Sequence, residues 1–316
     1  MASPNRRTAV IALGGNALSP PGERSTIADQ FRHTRESLGP VVSLVMEGWN
    51  LCIVHGNGPQ VGDELVRNEI AGGEVAELPL GVLVATTAGW IGYMIQQSVE
   101  NALRRAGNDR RVVTLLTQVE VSATDPSLEK PTKFIGHSMT DQRADQARRD
   151  GHEVRRDPRG EFRRVVGSPS PTGIHEIDTI RELAERGTIV IACGGGGIPV
   201  YRDATGNLEG LDAVVDKDLA AGMLASDLGA ELLLILTDID AVYSNFGEPA
   251  ARAIRNMTPD EADSLIANGS LDEGSMTPKV RAAADFVRRT NGRAIITELS
   301  RGLDAVHGRA GTAIAR

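Results

Sequence analysis

Short apolar runs alternate with longer amphipathic stretches along almost the whole chain. The runs are rich in Val, Ile and Leu and do not alternate apolar with polar positions, which is typical of strands covered on both faces. The amphipathic stretches between them are helix candidates. This order predicts an α/β fold with an open, mainly parallel sheet and helices on both faces.

The strands are predicted at residues 8–13, 51–54, 112–116, 189–192, 232–236 and 293–297. The helices are predicted at about 26–47, 60–71, 83–106, 176–186, 217–228, 258–268 and 278–290. Residues 121–172, rich in proline and charge, predict an excursion, partly hairpin, that stands off the sheet. Residues 203–207 read Asp-Ala-Thr-Gly-Asn and predict a hairpin turn.

The composition is that of an ordinary globular protein, with 41% hydrophobic and 24% charged residues among 316. A net charge of −8 and 3% aromatic residues provide no basic, stacking surface, so no nucleic-acid partner is expected. The apolar runs are far shorter than the ~20 residues of a membrane helix, so no membrane partner is expected. Length alone leaves open one large unit or two coupled lobes.

The two cysteines, Cys52 and Cys193, lie in apolar runs and are expected to be buried free thiols of a reducing compartment, which predicts a cytoplasmic protein. Cys193 precedes four glycines and could be a nucleophile, but a structural thiol is the favoured interpretation.

Arg6 and Arg7, followed by an apolar run, resemble the start of a signal peptide. That run is too short for one and is predicted to be the first strand.

Glycine-rich or polar segments directly follow predicted strands. They are Leu13-Gly14-Gly15-Asn16-Ala17, His55-Gly56-Asn57-Gly58-Pro59-Gln60, Cys193-Gly194-Gly195-Gly196-Gly197-Ile198-Pro199 and Thr237-Asp238-Ile239-Asp240. Glycine lets backbone N–H groups close around an anion, and a following helix adds its positive end. One such loop is usually just a turn, but three at one sheet edge suggest a phosphate-rich ligand. The sequence has no P-loop, no nucleophile elbow and no metal-ligand spacing of His or Cys, so no metal site is predicted.

Lysines near predicted helix starts are the other candidates. Thr277 and Pro278 are predicted as N-cap and first helical residue, which places Lys279 in the first turn, where the helix dipole disfavours a cation. A lysine aimed at a bound phosphate explains that placement, and an exposed lysine is the alternative. Lys217, within the Asp-Lys-Asp triplet at 216–218, is either held in position by its neighbours or merely lies in an ordinary capping sequence.

Taken in order, the motifs resemble the amino acid kinase superfamily and, within it, the carbamate kinase family. The resemblance covers about residues 8–315. Its matches are Leu13-Gly14-Gly15-Asn16-Ala17-Leu18, His55-Gly56-Asn57-Gly58-Pro59-Gln60-Val61-Gly62, Ile91-Gly92-Tyr93, Thr117-Gln118-Val119, Asp125-Pro126, Pro131-Thr132-Lys133, Arg163-Arg164-Val165-Val166, Ser168-Pro169 and residues 194–200, 216–220 and 274–279.

The resemblance implies a single domain over residues 1–316, with an N-terminal lobe for the phosphoryl acceptor at about 1–210 and a C-terminal lobe for ATP at about 211–316. It also implies a small protruding subdomain, which matches the excursion at about 121–172. The implied reaction is reversible phosphoryl transfer, in which ATP and carbamate give ADP and carbamoyl phosphate. Mg²⁺ would be carried mainly by the nucleotide phosphates. A cytoplasmic homodimer is expected.

Other members of the superfamily carry a lysine where this chain has Ala12. Carbamate kinases replace it by a lysine of the protruding subdomain, and Lys133 matches that lysine. By resemblance, Lys133 and Lys279 would contact the transferring phosphoryl group. Lys217 would hold the nucleotide phosphates, and Asp218 would orient the lysines. The implied acceptor and phosphoryl cradle is Gly14, Gly15, Asn16, Asn57, Gly58, Gly194 and Gly195, and the implied nucleotide site is Lys217, Thr237, Asp238, Tyr243, Met276 and Lys279.

Some positions depart from the usual carbamate kinase pattern, although none removes a charged catalytic group. Phe134 and Gly167 stand where prolines are common, Thr87-Ala88 where Ser-Gln is usual, and Thr277 where glycine is usual. Several lie near the implied acceptor pocket. One alternative is therefore a kinase of the same superfamily that acts on another small carboxylate. Another is a non-catalytic nucleotide-binding sensor built on this fold.

Overall fold

The computed structural model describes residues 6–15, 18, 26–157, 159–246, 250–272 and 274–316. Its strands are β1 (Thr8–Leu13), β2 (Asn50–His55), β3 (Val112–Thr114), β4 (Gln118–Val121), β5 (Lys133–Met139), β6 (Val154–Arg156), β7 (Phe162–Val166), β8 (Pro171–Ile174), β9 (Ile189–Ile191), β10 (Ile198–Arg202), β11 (Leu208–Gly210), β12 (Leu232–Thr237), β13 (Val242–Ser244), β14 (Arg252–Ile254), β15 (Asn256–Met257), β16 (Arg293–Glu298) and β17 (Thr312–Ile314). Its α-helices are α1 (Ile27–Glu36), α2 (Gly39–Met46), α3 (Gly58–Ala71), α4 (Leu80–Arg105), α5 (Pro126–Glu129), α6 (Asp141–Arg149), α7 (Ile177–Glu185), α8 (Lys217–Asp227), α9 (Pro259–Ala267), α10 (Met276–Thr290) and α11 (Gly302–Val306).

A sheet of eight strands, in the order β15-β17-β16-β12-β1-β2-β9-β3, forms the centre of the fold. Its strands pair in parallel except for β16 and β17, which are antiparallel. All the strands predicted from the sequence lie in this sheet. The predicted open, mainly parallel sheet is therefore confirmed.

Successive residues of the central strands enter two different hydrophobic cores, one on each face of the sheet. From β1, Ile11 and Leu13 join the core that contains residues of α2, α4 and α11. Val10 and Ala12 join the core that contains residues of α7, α8 and α10. Both faces need apolar side chains, which explains why the strands show no apolar–polar alternation.

Smaller sheets have the orders β11-β10-β4-β8, β13-β14 and β5-β7-β6. The predicted hairpin turn at 203–207 is confirmed, because it joins the antiparallel strands β10 and β11. Asp203 Oδ1 accepts hydrogen bonds from the backbone N–H groups of Thr205 at 2.8 Å and Asn207 at 2.9 Å. Gly206 has a φ of +88°, a left-handed backbone that favours glycine.

Within the predicted excursion, β5, β6 and β7 form an antiparallel sheet in the order β5-β7-β6, and α6 follows β5 in the chain. β5 packs against α3. The flanking strands β4 and β8 pair within the four-stranded sheet. The sequence pattern did not predict α5 or α6, since Ala144 is the single buried residue of α6 and gives no hydrophobic periodicity. The division of the chain into two lobes stays a prediction.

The predicted single helix at 26–47 is wrong, because the structure has two helices there, α1 and α2. Pro40, the second residue of α2, has no N–H to donate, and its ring would clash with the preceding turn of one continuous helix. The other predicted helices are present, with ends shifted by at most a few residues. Among the described residues, no helix is both long and apolar enough to cross a membrane.

Candidate active site

Four neighbouring parallel strands bring the predicted loops to one edge of the main sheet. β12, β1, β2 and β9 end there, and Gly14 N donates to Leu236 O while Gly56 N donates to Leu13 O, both at 3.0 Å. The predicted common edge is therefore confirmed. It carries the candidates Gly14, Gly15, Asn57, Gly58, Gly194, Gly195, Thr237 and Asp238, whereas Asn16 lies outside the described residues.

The loop after β9 is packed so closely that it requires glycine. Residues 195–197 are glycines with φ values of +71°, +97° and +89°. A Cβ on Gly195 would collide with the side chain of Asn57, and one on Gly196 would collide with the carbonyl of Val215. The glycine loop after β9 therefore packs directly against both the loop after β2 and the segment that leads into α8.

Asn57 lies between β2 and α3 and is buried. Its Nδ2 donates a hydrogen bond to Thr87 Oγ1 at 2.9 Å. Thr87, one of the departures from the family pattern, is thus a direct partner of an acceptor-site candidate. The first turn of α3 begins at Gly58, at the same sheet edge, where a helix N-terminus attracts anions.

The two lysines of the C-terminal part share one carboxylate. Lys217 Nζ lies 2.7 Å from Asp218 Oδ1, and Lys279 Nζ lies 3.2 Å from Asp218 Oδ2. Lys279 also donates to the carbonyl of Ser275 at 3.0 Å. Asp218 therefore holds both ammonium groups next to each other.

Lys133 reaches the same place from the three-stranded sheet. Its Nζ lies 2.8 Å from Asp216 Oδ2, while Asp216 Oδ1 accepts the backbone N–H of Asp218 at 2.9 Å and caps α8. The structure thus brings together Lys133, Lys217, Asp218 and Lys279 from three separate parts of the chain. The sequence interpretation left Asp216 out of the site, although its place in the Asp-Lys-Asp triplet was a usable signal.

The lysine cluster adjoins the glycine loops. A Cβ on Gly56 would lie 3.0 Å from Gly15 N and 3.1 Å from Lys217 Cδ. The loops after β1 and β2 therefore meet the stem of Lys217. Backbone N–H groups next to ammonium groups are suited to stabilising a transferring phosphoryl group.

Charge and burial act against each other in this cluster. Burial lowers the pKa of Lys217, and Asp218 offsets this only in part. Burial also acts to lower the pKa of Lys279, but the carboxylates of Asp218 and Asp216 outweigh it and raise that pKa. Burial acts to raise the pKa of Asp216, but Lys133 and Lys217 outweigh it and hold that pKa well below its usual range. Lys217 therefore holds its proton less firmly than an ordinary lysine.

The predicted start of the helix at Lys279 is wrong. α10 begins at Met276 with Ser275 as N-cap, so Thr277 and Pro278 are its second and third residues. Asp272 Oδ1 accepts the N–H of Ser275 at 2.7 Å, which orders the turn and lets the helix start earlier than expected. Lys279 is 9% exposed, which excludes the alternative of an exposed lysine.

The nucleotide-site candidates lie around the ends of β12 and α10. Thr237 Oγ1 donates to Asp238 Oδ1 at 3.0 Å, and the charge of Asp238 acts on Lys279. Met276 is buried in a hydrophobic core at the start of α10. Tyr243 donates its hydroxyl to Asp240 at 2.8 Å, and its ring makes an edge contact with the exposed Phe246. The sequence interpretation did not single out Phe246.

The cysteines are buried free thiols, as expected. Burial raises the pKa of Cys52 to about 12 and also raises that of Cys193, which removes the thiolate that a nucleophile needs. The interpretation of Cys193 as a structural thiol is thus favoured further. Over the part of the chain that the structure describes, no group of three or more His, Cys, Asp or Glu side chains is placed to hold a metal ion.

The sequence profile of the amino acid kinase family matches residues 7–298. The chain therefore belongs to the amino acid kinase family. A carbamate kinase of Escherichia coli O6:H1 is 44% identical over 311 residues, which cover 98% of this chain and 99% of that protein. A carbamate kinase of Pyrococcus horikoshii is 40% identical over 309 residues, which cover 96% of this chain and 98% of that protein.

A solved structure of carbamate kinase from Giardia lamblia bound to AMP-PNP superimposes on this chain with a TM-score of 0.91. The two are 36% identical, and the match covers 100% of this chain and 99% of that one. The fold and the family inferred from the sequence motifs are therefore confirmed.

Proposed function

We propose that this protein is a carbamate kinase, which reversibly transfers a phosphoryl group between ATP and carbamate to give ADP and carbamoyl phosphate. The observation that carries the proposal is the convergence of Lys133, Lys217 and Lys279 on two aspartates beside the glycine loops. A carbamate oxygen is already ionised, so its attack needs no general base. The protein must instead hold two anions together and stabilise the charge between them, a task for lysines and backbone N–H groups.

Each lysine receives a role in this proposal. Lys133 and Lys279 contact the transferring phosphoryl group, and Lys217 holds the nucleotide phosphates. Asp218 orients Lys217 and Lys279, a role supported by its two ion pairs. Ala12 is fully buried in β1 and carries no charge. This supports Lys133, rather than position 12, as the source of the third positive charge at the phosphoryl group.

The substrates are assigned to the two sides of the lysine cluster. Glycines 14, 15, 58, 194 and 195, together with Asn16 and Asn57, form the acceptor and phosphoryl cradle. Thr237, Asp238, Tyr243 and Met276 contact the nucleotide. Mg²⁺ enters with ATP on its phosphates, because the oxygens of Asp216 and Asp218 already serve the lysines.

The proposal includes a cytoplasmic homodimer, with acceptor and nucleotide lobes dividing near residue 210. Exposed apolar side chains on α4 and directly after the edge strand β3 support the dimer. Tyr93 is 56% exposed and stacks edge-on with Phe31, and Leu116 is 53% exposed. Sedimentation velocity tests this part: we expect a dimer, and a Tyr93→Glu variant that is monomeric.

The experiment for the activity mixes the purified protein with carbamoyl phosphate and Mg-ADP and measures ATP. We expect ATP to form in step with the loss of carbamoyl phosphate. A control without carbamoyl phosphate measures ATP made from ADP alone by contaminating adenylate kinase. Labelled ATP offered to a panel of small carboxylates identifies a different acceptor. ATP binding without ADP formation from any acceptor would indicate the non-catalytic sensor.

A further inference from the structure

Lys133 differs from the other two lysines in how it is held. It comes from β5 of the three-stranded sheet, and 33% of its side chain is exposed. Its ion-pair partner Asp216 is fixed by α8, because Asp216 Oδ1 caps that helix through the N–H of Asp218. The free oxygen, Oδ2, takes the ammonium group at 2.8 Å. One carboxylate thus links the separate sheet to the helix that carries Lys217 and Asp218.

We propose that Asp216 is a positioning residue for phosphoryl transfer, which holds Lys133 in register with Lys217 and Lys279. The proposal rests on the function proposed above. Capping α8 needs one acceptor oxygen, and Asn or Ser would serve it about as well as Asp. The helix cap therefore requires neither the second carboxylate oxygen nor the negative charge of Asp216. Both of these interact with Lys133 instead.

The ion pair is compatible with a role during the reaction. An ammonium group has three N–H donors, so Lys133 can keep its bond to Asp216 and still donate to phosphoryl oxygens. Asp216 also supplies negative charge between ammonium groups that would otherwise repel each other. Without it, the long side chain of Lys133 regains its rotamer freedom next to two like charges.

The test compares Asp216→Asn and Asp216→Ser, which both keep a helix cap and lose the charge. We expect kcat for ATP formation to fall by about 10²-fold, since small misplacements of reacting groups cost this much, while ADP affinity stays close to wild type. The melting temperature should fall in both variants, because the ion pair with Lys133 also stabilises the folded state. Asp125→Asn is the matched control, because Asp125 caps α5 in the same way and has no lysine partner among the described residues. We expect its kcat to be unchanged.

Two further measurements separate positioning from capping. The rate at which an amine reagent labels Lys133, followed by mass spectrometry, should rise in Asp216→Asn, whereas labelling of the exposed Lys130 should not. On a Lys133→Ala background, Asp216→Asn should change the residual rate by less than about twofold, because the two residues act as one unit.

Wild-type kcat in both variants, with unchanged labelling of Lys133, would show that Asp216 only caps α8. A kcat above wild type would show that it restrains Lys133, and would equally overturn the proposal. A wild-type protein that makes no ATP from carbamoyl phosphate would contradict the proposed function instead. The labelling experiment would then still decide whether Asp216 positions Lys133.

Discussion

Gly62 of α3 lies so close to Gly136 of β5 that a Cβ on Gly62 would stand 2.8 Å from the Cα of Gly136. Gly136 has a φ of +69°, a left-handed backbone conformation that residues with a side chain rarely adopt. The three-stranded sheet and α3 therefore meet backbone to backbone. Lys133 begins the same strand, three residues earlier, so this contact helps to set its position.

Gly62→Ala is expected to lower kcat by about tenfold or more, because the sheet must shift and carry Lys133 with it. Alanine favours a helix by about 1 kcal/mol over glycine, so α3 itself should not be weakened. The measurements are kcat, ADP affinity and melting temperature. Gly39→Ala is the control, since Gly39 starts α2 with open space around its Cβ position. Equal kcat in the two variants would contradict a role for the contact.

Lys279→Ala is expected to lower kcat by about 10²–10³-fold while ADP affinity changes much less. The reason is that its charge is needed where negative charge develops during transfer. Steady-state rates and calorimetric ADP binding provide the comparison. Arg281→Ala removes an exposed cation from the same helix and should be silent. A Lys279→Ala enzyme with near-normal turnover would remove Lys279 from the mechanism.

The lowered pKa of Lys217 makes ADP binding pH-dependent. This lysine loses its proton at lower pH than an ordinary one, and bound phosphate would stabilise the ammonium form and raise its pKa. Binding below the ordinary lysine pKa of about 10.4 should therefore take up protons, and affinity should fall as pH rises. Calorimetry in buffers of different ionisation enthalpy measures the uptake. Lys217→Arg, which stays charged, should abolish it, and equal uptake in both proteins would refute the role.

His55 makes stability depend on pH in a known direction. Burial lowers its pKa from 6.5 to about 4, so between these values the unfolded chain binds a proton that the folded protein does not. The free energy of unfolding should therefore decrease by about 3 kcal/mol as pH falls from above 6.5 to below about 4. Urea unfolding at about pH 7 and pH 5 should show a smaller loss in His55→Gln than in wild type. Equal losses in His55→Gln and wild type would contradict the assignment.

The main sheet could be predicted because its strands are buried on both faces and are therefore apolar throughout. The hairpin at 203–207 could be predicted because glycine and an Asp side chain fix its turn locally. α6 could not be predicted, since its polar sequence has no apolar face to detect. The sequence could have predicted the break at Pro40, because proline has no N–H to donate within a continuous helix.

The sequence predicted the separate loops and lysines of the candidate site, but not which residues contact each other there. The glycine loops follow strands, and the sequence therefore indicated a common edge. The start of α10 was misplaced because the turn around Asp272 orders the backbone before Thr277. The ion pair between Lys133 and Asp216 joins residues 83 positions apart and depends on how the three-stranded sheet packs on α3, which local sequence does not encode.

The most direct test of the central claim is the rate of ATP formation from carbamoyl phosphate and Mg-ADP by Lys133→Ala. Lys130→Ala, which removes an exposed lysine three residues earlier, is the matched control. We expect Lys133→Ala to be folded, to bind ADP normally and to lose nearly all transfer, while Lys130→Ala retains it. Full activity in Lys133→Ala would contradict the claim that the three-stranded sheet delivers the phosphoryl-stabilising charge.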